Sequence, residues 1–494
     1  MFPRLLFPLL LLGGTFTFDS AASAEVPAPP LPLREFRGAW VATVHGVDWP
    51  FDPGDPPAKQ QQELLQIVQK AAQLKLNALI FQVRPAGDAF YKSDLEPWSP
   101  WLTGAMGRTP SPLWDPLEFI IKESHARGIE VHAWFNPYRA LAGNKHKGTG
   151  THITVQHPDW CWKYGDYVWM CPGEPGVRAH SVKVVMDVVK RYDVDGIHFD
   201  DYFYPYPIKD KQGKKIDFPD GRSWQKYQDG GGKLSRSDWR RSNVDLFIQE
   251  VYNAIKQEKR WVRFGISPFG VWRPNHPEGI AKGALDAYED IGADSRKWLQ
   301  AGWCDYFSPQ LYWPSEPKNL SFNLLYDWWL TQNIARRHIW PGVASERVLR
   351  DRQPYEILKQ ISHTRTRSPY MPPGHIHWNF TALGKNKGTL ADLCAKRAYQ
   401  ELALPPAAAW LGSDKPASPI LRLGTGKASW SYADTRLDAF VKWWVVQIYS
   451  KGKWTDEAIL PANTRELTLP AGMEAIAIRA ISNTGLSSEP ALIR

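Results

Sequence analysis

Apolar runs of strand length alternate with helix-like stretches eight times between residues 38 and 402. The runs are almost continuously apolar, which favours parallel strands that helices cover from outside. Eight repeats of this kind are the number that closes a (β/α)8 barrel of the TIM type, an α/β fold. The strands are expected at residues 38–44, 77–84, 129–137, 194–202, 262–268, 305–312, 339–344 and 375–380.

The intervening helices are read from apolar residues at helical spacing. Ser237 is expected to cap the fourth of them. An open, doubly wound sheet is the alternative fold, but it would usually carry a Gly-rich phosphate turn after an early strand, and the sequence has none. The helices are expected at residues 60–74, 116–127, 177–192, 237–257, 286–301, 320–336, 354–366 and 389–402.

The fourth strand region, residues 194–206 (VDGIHFDDYFYPY), begins as a buried strand and ends in two carboxylates among aromatic rings. Because residues alternate between the faces of a strand, His198 and Asp200 share one face while Ile197 and Phe199 share the other. An apolar outer face and an ionisable inner face suit a barrel that binds a ligand at its top. Acids beside aromatic rings are typical of sites that bind and cleave sugars.

The same alternation directs polar side chains inward at the carboxyl ends of further strands, where this fold places its active sites. The alternative is a polar barrel interior held by internal hydrogen bonds. An aromatic rim that includes Tyr204 and Trp313 is also expected to bind substrate. The inward residues are expected to be Gln82 and Arg84 (second strand), His132, Trp134 and Asn136 (third), Ser308, Gln310 and Tyr312 (sixth), and His377 and Asn379 (eighth).

Glycoside hydrolysis requires two carboxyl groups, one that donates a proton and one that acts as nucleophile or as base for water. Asp200 is expected to face the site. Asp201 would point to the opposite face of a regular strand and would join the site only if the strand breaks there. A catalytic partner is therefore expected from another strand end, with Glu346 after the seventh strand as the first candidate and Glu278 as the second.

The protonation state of Asp200 stays open at this stage. A guanidinium from Arg84 would keep the carboxylate ionised, whereas burial without compensation would raise its pKa toward that of a proton donor. A metal site is the rival chemistry. No metal or other cofactor is predicted, because the sequence lacks a tight pair of ligands on a helix; the ligands on offer are His45, His132, His198, Asp200 and Asp201.

The first 24 residues predict a signal peptide. Arg4 precedes an apolar stretch at 5–12, and Ala22-Ser23-Ala24 forms a cleavage motif. The stretch is short for a membrane span and no cysteine lies near it, so neither a transmembrane nor a lipid anchor is expected. We therefore expect an exported protein, periplasmic or extracellular. The net charge of +9 over 494 residues is mild and dispersed, which argues against a nucleic-acid partner.

The four cysteines and the long loops suit an exported protein. In an oxidising compartment, Cys161 and Cys171 are predicted to form a disulfide across one loop. Cys304 and Cys394 are expected as free thiols or as a second bridge. The charged, Gly-rich connection 209–236 follows the fourth strand, so it is expected to cover the barrel mouth.

The composition changes after residue 404, where a Pro-rich linker begins. Short alternating strands then follow, which predicts a small β-sandwich. We expect three parts: the signal peptide at 1–24, the barrel at 25–404 and the sandwich at 405–494. The sandwich is interpreted as a spacer or binding platform.

Four motifs of the sequence resemble motifs of the bacterial glycosyl hydrolase-like 10 family and follow one another in the same order. The resemblance spans about residues 33–404. That family includes a divisome-localised peptidoglycan glycan hydrolase of enteric bacteria. A later segment, 474–490, is similar to the last strands of a fibronectin type III module. The four motifs are residues 35–44 (EFRGAWVATV), 195–206 (DGIHFDDYFYPY), 265–273 (GISPFGVWR) and 305–313 (DYFSPQLYW).

The resemblance implies an exported enzyme that hydrolyses glycan strands of a cell-wall polysaccharide, in particular peptidoglycan without stem peptides, with a wall or divisome association. It implies an acidic centre at Asp200 and Asp201. A non-catalytic glycan-binding barrel and a metal-dependent carbohydrate hydrolase or deacetylase are the alternatives. The residues that it places around the acids are Arg84, Asn136, His198, Gln310 and Tyr312.

Overall fold

The computed structural model describes residues 26–143, 145–280, 285–316, 320–368 and 371–494. The predicted signal peptide therefore lies outside the described residues. Within the described part of the chain, no helix is long and apolar enough to span a membrane.

Parallel strands at eight positions close into a barrel, which confirms the predicted fold. Each strand pairs with its neighbours in chain order, and β1 pairs with both β2 and β8. The seventh strand is split, and its first half pairs with β6 while its second half pairs with β8, so the ring is complete. The strands are β1 (Phe36–Val41), β2 (Ala78–Arg84), β3 (Glu130–Phe135), β4 (Gly196–Phe199), β5 (Arg263–Ile266), β6 (Tyr306–Phe307), β7 (His338–Ile339 and Gly342–Val343) and β8 (Gly374–His377).

Helices cover the outside of the barrel. The helix expected at 286–301 is interrupted at Gly292, which has φ +63°, so a short helix at Ala287–Asp290 precedes α5. The cap of α4 is Ser235 rather than Ser237, because the Ser235 side chain accepts a hydrogen bond from the Asp238 N–H. The helices are α1 (Pro57–Gln73), α2 (Pro116–His125), α3 (Pro175–Arg191), α4 (Arg236–Glu258), α5 (Ser295–Gln300), α6 (Phe322–Gln332), α7 (Pro354–Arg367) and α8 (Leu390–Leu393), the last continued by a π-helical turn at Cys394–Ala398.

Large rings fill the barrel interior, and glycines make room for them. A Cβ atom on Gly265 would lie 1.9 Å from the Tyr306 ring, and one on Gly196 would lie 2.4 Å from the His132 ring. Both distances are far below van der Waals contact, so the interior filling depends on these glycines. The inner apolar cluster comprises Phe36, Trp40, Ala42, Ala78, Ile80, Trp134, Tyr306, Trp340 and Ile376.

The loop after β3 forms a small three-stranded antiparallel sheet (Arg139–Leu141, Cys161–Tyr164 and Tyr167–Met170). The predicted Cys161–Cys171 disulfide is wrong, since both cysteines are free thiols. Cys161 pairs with Met170, so Cys171, one residue further, points to the other face. Its Sγ lies 3.6 Å from the Ser223 Oγ.

The 209–236 connection is anchored to the rest of the barrel. It contains part of a short hairpin (Ile208–Lys209 with Lys215–Ile216) and a helix at Gly221–Asp229. The buried Asp220 carboxylate binds the guanidinium groups of Arg236 and Arg240. These bidentate contacts fix the position of the segment.

Seven antiparallel strands form a sandwich of three plus four strands, which confirms the all-β C-terminal unit. Its core contains Trp430, Trp444 and Ile478. The fibronectin type III assignment remains a prediction. The strands are β9 (Ile420–Gly424), β10 (Lys427–Ser431), β11 (Trp443–Ser450), β12 (Lys453–Pro461), β13 (Glu466–Thr468), β14 (Ala475–Ile481) and β15 (Ala491–Ile493); the sheets run β9-β10-β13 and β12-β11-β14-β15.

The sandwich packs against the amino-terminal ends of the barrel strands, away from the mouth. Lys442 reaches the Asp195 carboxylate just before β4, and the Trp410 indole N–H donates to Asp305 just before β6 (2.9 Å). The Arg263 guanidinium donates to the Pro406 carbonyl (2.8 Å). The second unit therefore closes the base of the barrel and leaves its opposite end free for a site.

Candidate active site

A cavity of about 240 Å³ lies at the carboxyl end of the barrel, and both carboxylates that follow β4 line it. Six of the other eight wall residues are Trp or Tyr, and the remaining two are polar residues that follow β5 and β6. The wall residues are Trp40, Trp134, Asp200, Asp201, Tyr202, Tyr206, Ser267, Gln310, Tyr312 and Trp378.

The end of β4 explains why two consecutive aspartates share one cavity. The strand ends at Phe199, so Asp200 and Asp201 lie beyond the ladder and are no longer bound to alternate faces. The Tyr202 N–H turns back and donates to Asp200 Oδ1 (3.2 Å). This is the strand break on which the placement of Asp201 in the site depended.

Asp200 is held by N–H donors. The Trp134 indole N–H donates to its Oδ2 (3.1 Å), and the Asn136 amide donates to the same oxygen (3.3 Å). Asp201 instead accepts a hydrogen bond from the Tyr206 hydroxyl. Both carboxylates are almost fully buried.

Burial is the main cause that raises the pKa of both acids. For Asp200, the neighbouring charge of Asp201 adds to burial and raises the pKa to about 7. The pKa of Asp201 is also raised by burial, against hydrogen bonds from Tyr206 and Gln310 that lower it. Because the two charges interact, the pair titrates as a unit and holds one proton between its members near neutral pH.

A hydrogen-bonded chain supports the cavity floor. His198 lies directly below Asp200 in the strand, and its Nε2 faces the Trp40 indole N–H (3.1 Å), which can only donate. Nε2 is therefore unprotonated, and Nδ1 carries the proton toward the Tyr306 oxygen (2.9 Å). Burial lowers the pKa of His198 well below its usual value, so the ring is neutral.

The chain continues to the barrel base. The Tyr306 hydroxyl, which receives the His198 proton, donates in turn to His132 Nδ1 (2.8 Å). His132 Nε2 then donates to Glu130 (3.2 Å), which also binds Arg263 (2.6 Å). The predicted inward side chain of His132 thus supports the floor and does not reach the cavity.

Arg84 lies outside the cavity, contrary to the expectation that it faces the acids. Its guanidinium binds Glu96 through two contacts of 2.7 and 2.5 Å, and His180 binds the same carboxylate (3.0 Å). The register between β2 and β3 shifts between Gln82 and Arg84, so the extra residue turns Arg84 to the helix side. The Gln82 side-chain oxygen Oε1 accepts hydrogen bonds from the backbone N–H groups of Thr43 and Val44 (2.9 Å each), so this residue holds the loop after β1.

The inward face of β8 is also the reverse of the one expected. Ile376 belongs to the inner cluster and Trp378 lines the cavity. His377 points outward, where it contacts the Tyr399 hydroxyl (2.7 Å). Asn379 is buried but is not part of the cavity wall. The prediction failed because it assigned the polar residues of β8 to the barrel interior. The His377 side chain instead lies on the outer face of the strand, buried against Tyr399.

Of the residues after β6 and β4 that were predicted to bind substrate, two line the cavity and two lie outside its wall. Gln310 and Tyr312 line the cavity. Trp313 packs edge-on against Phe269, behind the wall. Tyr204 is buried against Phe218 and does not reach the cavity, because the chain after Asp201 turns into the region under the 209–236 connection.

The predicted third acids do not line the cavity. Glu346 follows β7, and its backbone N–H donates to the Trp378 carbonyl (2.9 Å). Burial raises the pKa of its carboxyl group. Glu278 is exposed on the loop after β5. A second catalytic acid opposite Asp200 is therefore not found among the described wall residues.

Sequence reasoning missed several residues of the site. Trp40 was detectable, because alternation along β1 puts it on the same inner face as Phe36. Trp378 follows from the corrected face of β8. No sequence pattern indicated Arg139. Its guanidinium stacks 4.4 Å from the centre of the Tyr202 ring, and its backbone N–H donates to Asn136 Oδ1 (3.1 Å). Its positive charge lowers the pKa of Asp200, against the effect of burial.

The alternative of a metal centre finds no arrangement of ligands to support it. Throughout residues 26–494, outside the short undescribed gaps, no three His, Cys, Asp or Glu side chains are grouped as a metal site requires. His198 and His132 are both bound to Tyr306, and His45 packs against Trp101 instead.

Comparison with known proteins agrees with this chemistry. A model of the glycosyl hydrolase-like 10 family matches residues 35–355. Glycosyl hydrolase YngK of Bacillus subtilis (strain 168) is 36% identical, with 84% of this chain and 81% of that protein covered. Glycosyl hydrolase DigH of Escherichia coli (strain K12) is 37% identical, with 64% of this chain and 74% of that protein covered.

A buried acid pair at the mouth of a (β/α)8 barrel, together with these matches, defines the chain as a glycoside hydrolase. It belongs to the glycosyl hydrolase-like 10 family. Among solved structures, the glycoside hydrolase domain of PgaB (BpsB) from Bordetella bronchiseptica is similar, with 12% identity, a TM-score of 0.44, and 74% of this chain and 98% of that chain covered.

Proposed function

We propose that this glycoside hydrolase is exported and cleaves the glycan strands of peptidoglycan from which the stem peptides have been removed. The observation that carries the proposal is the buried Asp200–Asp201 pair in a cavity walled by aromatic rings. Partly exposed rings of the wall such as Trp378 and Tyr206 offer flat faces on which sugars stack, and the acids supply the proton transfer that glycosidic cleavage needs. The choice of strands without stem peptides rests on the resemblance to the glycosyl hydrolase-like 10 family.

In this proposal the acid pair protonates the oxygen of the scissile bond. Two buried carboxyl groups that share one proton at neutral pH retain a proton donor where an isolated aspartate would have lost its proton. The neutral His198 beneath them adds no charge, so the raised pKa of Asp200 depends on burial and on the neighbouring charge of Asp201, against the lowering effect of Arg139. The function of His198 is then to fix the cavity floor.

The direct test measures the release of reducing ends from purified, denuded glycan strands. Wild type is expected to release them, and Asp201→Asn is expected to lose about 10³-fold in kcat while it still binds the strands. Asp434→Asn, an exposed aspartate of the sandwich, is the matched control and should equal wild type. Wild-type protein that binds the strands and never cuts them would contradict the proposal. Amino-terminal sequencing of exported protein, expected to begin near Glu25, tests the export.

A further inference from the structure

The acids of this site lie on one side of the cavity. Two-carboxylate glycosidases place their carboxyl groups on opposite sides of the bond, about 5–5.5 Å apart in retaining enzymes and 6.5–9.5 Å apart in inverting ones. Here the two acids of the described wall are consecutive residues at the end of β4. Strand β8 lies across the ring from β4, and it contributes Trp378 to the opposite wall. Trp40 of β1 lies beside that ring at 6.0 Å.

No described carboxylate supplies the missing partner. Glu346, which follows β7, is not a wall residue; its Oε2 is buried without a hydrogen-bond partner, and its charge acts on the wall residue Tyr312. The internal gaps in the described chain contain no Asp or Glu, since residues 144, 281–284, 317–319 and 369–370 are Asn, Ala-Lys-Gly-Ala, Pro-Lys-Asn and Pro-Tyr. Among the described wall residues, the enzyme thus has an acid pair for proton transfer and no carboxylate on the opposite side.

We infer that the nucleophile comes from the substrate: the carbonyl oxygen of a 2-acetamido group attacks C1 of the sugar that is cleaved. This inference rests on the proposed function and narrows the substrate class to glycans whose cleaved sugar carries a 2-acetamido group. Substrate-assisted cleavage of this kind is an established alternative to a protein nucleophile.

The step balances without a cofactor. The acetamido oxygen forms a bond to C1 as the C1–O bond to the leaving sugar breaks, and the leaving oxygen takes the proton of the acid pair. The product on the enzyme is an oxazolinium ring whose N–H faces a carboxylate. Water then adds to C1, gives a proton back to the acid pair, and the acetamido group reforms with retention of configuration at C1.

A bound acetamido group assigns the two acids to different roles. The partners of Asp200 are the N–H groups of Trp134, Asn136 and Tyr202, which only donate, so they favour the anionic form of Asp200. A carboxylate has about four acceptor positions, which leaves Asp200 able to accept the acetamido N–H as well. Asp201 accepts a hydrogen bond from the Tyr206 hydroxyl, so hydrogen bonds favour the anion at both acids, and the shared proton is retained by burial and by the repulsion between the two charges. A bound acetamido N–H favours the anion at Asp200, so in the complex the shared proton lies on Asp201, which is the acid and later the base.

The test compares strands that differ only in the acyl group. Denuded strands are de-N-acetylated and then re-acylated with acetyl or with trifluoroacetyl groups, whose carbonyl oxygen is a much poorer nucleophile. We expect re-acetylated strands to be cleaved at the original rate and trifluoroacetylated strands at least 100-fold more slowly. Equal rates on both would overturn the inference and leave the proposed function intact. Failure to cleave even the original strands would overturn the proposed function and the inference with it.

Further measurements separate the roles of Asp200, Asp201 and Glu346. A thiazoline analogue of the oxazolinium ring should bind wild type at least 100-fold more tightly than N-acetylglucosamine does, as expected for a mimic of the intermediate, and Asp200→Asn should lose most of that difference. Glu346→Gln should retain kcat within about tenfold. A covalent glycosyl adduct on Asp200, Asp201 or Glu346, detected by intact mass after reaction with a 2-deoxy-2-fluoro glycoside, would overturn the inference, as would inversion at C1.

Discussion

At the scale of single residues, the site depends on where one strand stops. Alternation along the strand correctly assigned His198 and Asp200 to the inner face, and the structure puts Asp200 in the cavity wall. It could not assign Asp201, because the position of that side chain depends on the end of β4 at Phe199, which tertiary packing decides. Arg139 was missed for a similar reason: its contact with Tyr202 joins two loops that no local pattern relates.

The raised pKa of Asp200 predicts how stability changes with pH. The unfolded chain loses this proton near pH 4, whereas the folded chain keeps it until about pH 7. Between these values the unfolded state binds fewer protons, so the free energy of unfolding falls as the pH rises, and the fall ends above the folded pKa. Asp200→Asn lacks the titrating carboxyl group, so its free energy of unfolding should not fall in this way. The difference between the Tm of Asp200→Asn and that of wild type should therefore increase from pH 4 to pH 7 in favour of the variant.

Thermal unfolding from pH 4 to pH 8 measures that prediction. Asp434→Asn is again the control, and it should run parallel to wild type throughout the range. A constant Tm difference between Asp200→Asn and wild type would mean that the carboxyl group is not titrating with a raised pKa. The same variant should have lost glycan cleavage, so the gain in stability and the loss of activity would come from one buried charge.

At the scale of secondary structure, periodicity predicted the eight strands and helices well but did not predict their irregularities. The apolar pattern located β2, yet the register shift before Arg84 turned that side chain away from the site. The pattern also located β8, but polarity was a wrong guide to its inner face because His377 bonds to Tyr399 outside the barrel. A bulge and a buried polar network both depend on neighbouring elements, which a single strand pattern does not contain.

Arg84 offers a test of this correction. Arg84→Met should leave the buried Glu96 carboxylate without its guanidinium partner and reduce the free energy of unfolding by about 3–5 kcal/mol. Because Arg84 does not line the cavity, kcat per folded molecule should stay within about tenfold of wild type. Arg84→Met combined with Glu96→Leu should recover much of the stability, since the unpaired charge is then gone.

Urea unfolding and active-site titration together measure this pair of effects. Arg436→Met, an exposed arginine of the sandwich, is the matched control and should unfold like wild type. A stable Arg84→Met protein whose kcat is 10³-fold lower would instead place Arg84 in the catalytic machinery, as the sequence pattern and the family resemblance had indicated.

At the scale of the whole molecule, the sandwich closes one end of the barrel and the active site occupies the other. Lys442 enters the base from the sandwich and lies against Asp195 and Glu130. Glu130 is the first member of the hydrogen-bonded chain that leads through His132 and Tyr306 to His198. The composition change after residue 404 predicted a second unit, but only the structure shows that it supports the base of the barrel.

Lys442→Met tests the importance of this contact. It removes a buried cation from two buried carboxylates and should reduce the free energy of unfolding by about 2 kcal/mol or more. Lys427→Met, a surface lysine of the same sandwich, should have little effect. Differential scanning calorimetry measures both variants. Equal stability of Lys442→Met and wild type would show that the sandwich is attached to the barrel without stabilising it.

The activity of the site depends on Asp200 and Asp201 holding one proton between them in the cavity near neutral pH. Carboxyl ¹³C NMR of enzyme labelled at aspartate measures this directly, with the signals assigned by their loss in Asp200→Asn and Asp201→Asn. We expect a titration step of the pair near pH 7 that disappears in either variant. Titration of both carboxyl groups at or below pH 4, with no step near neutrality, would contradict it.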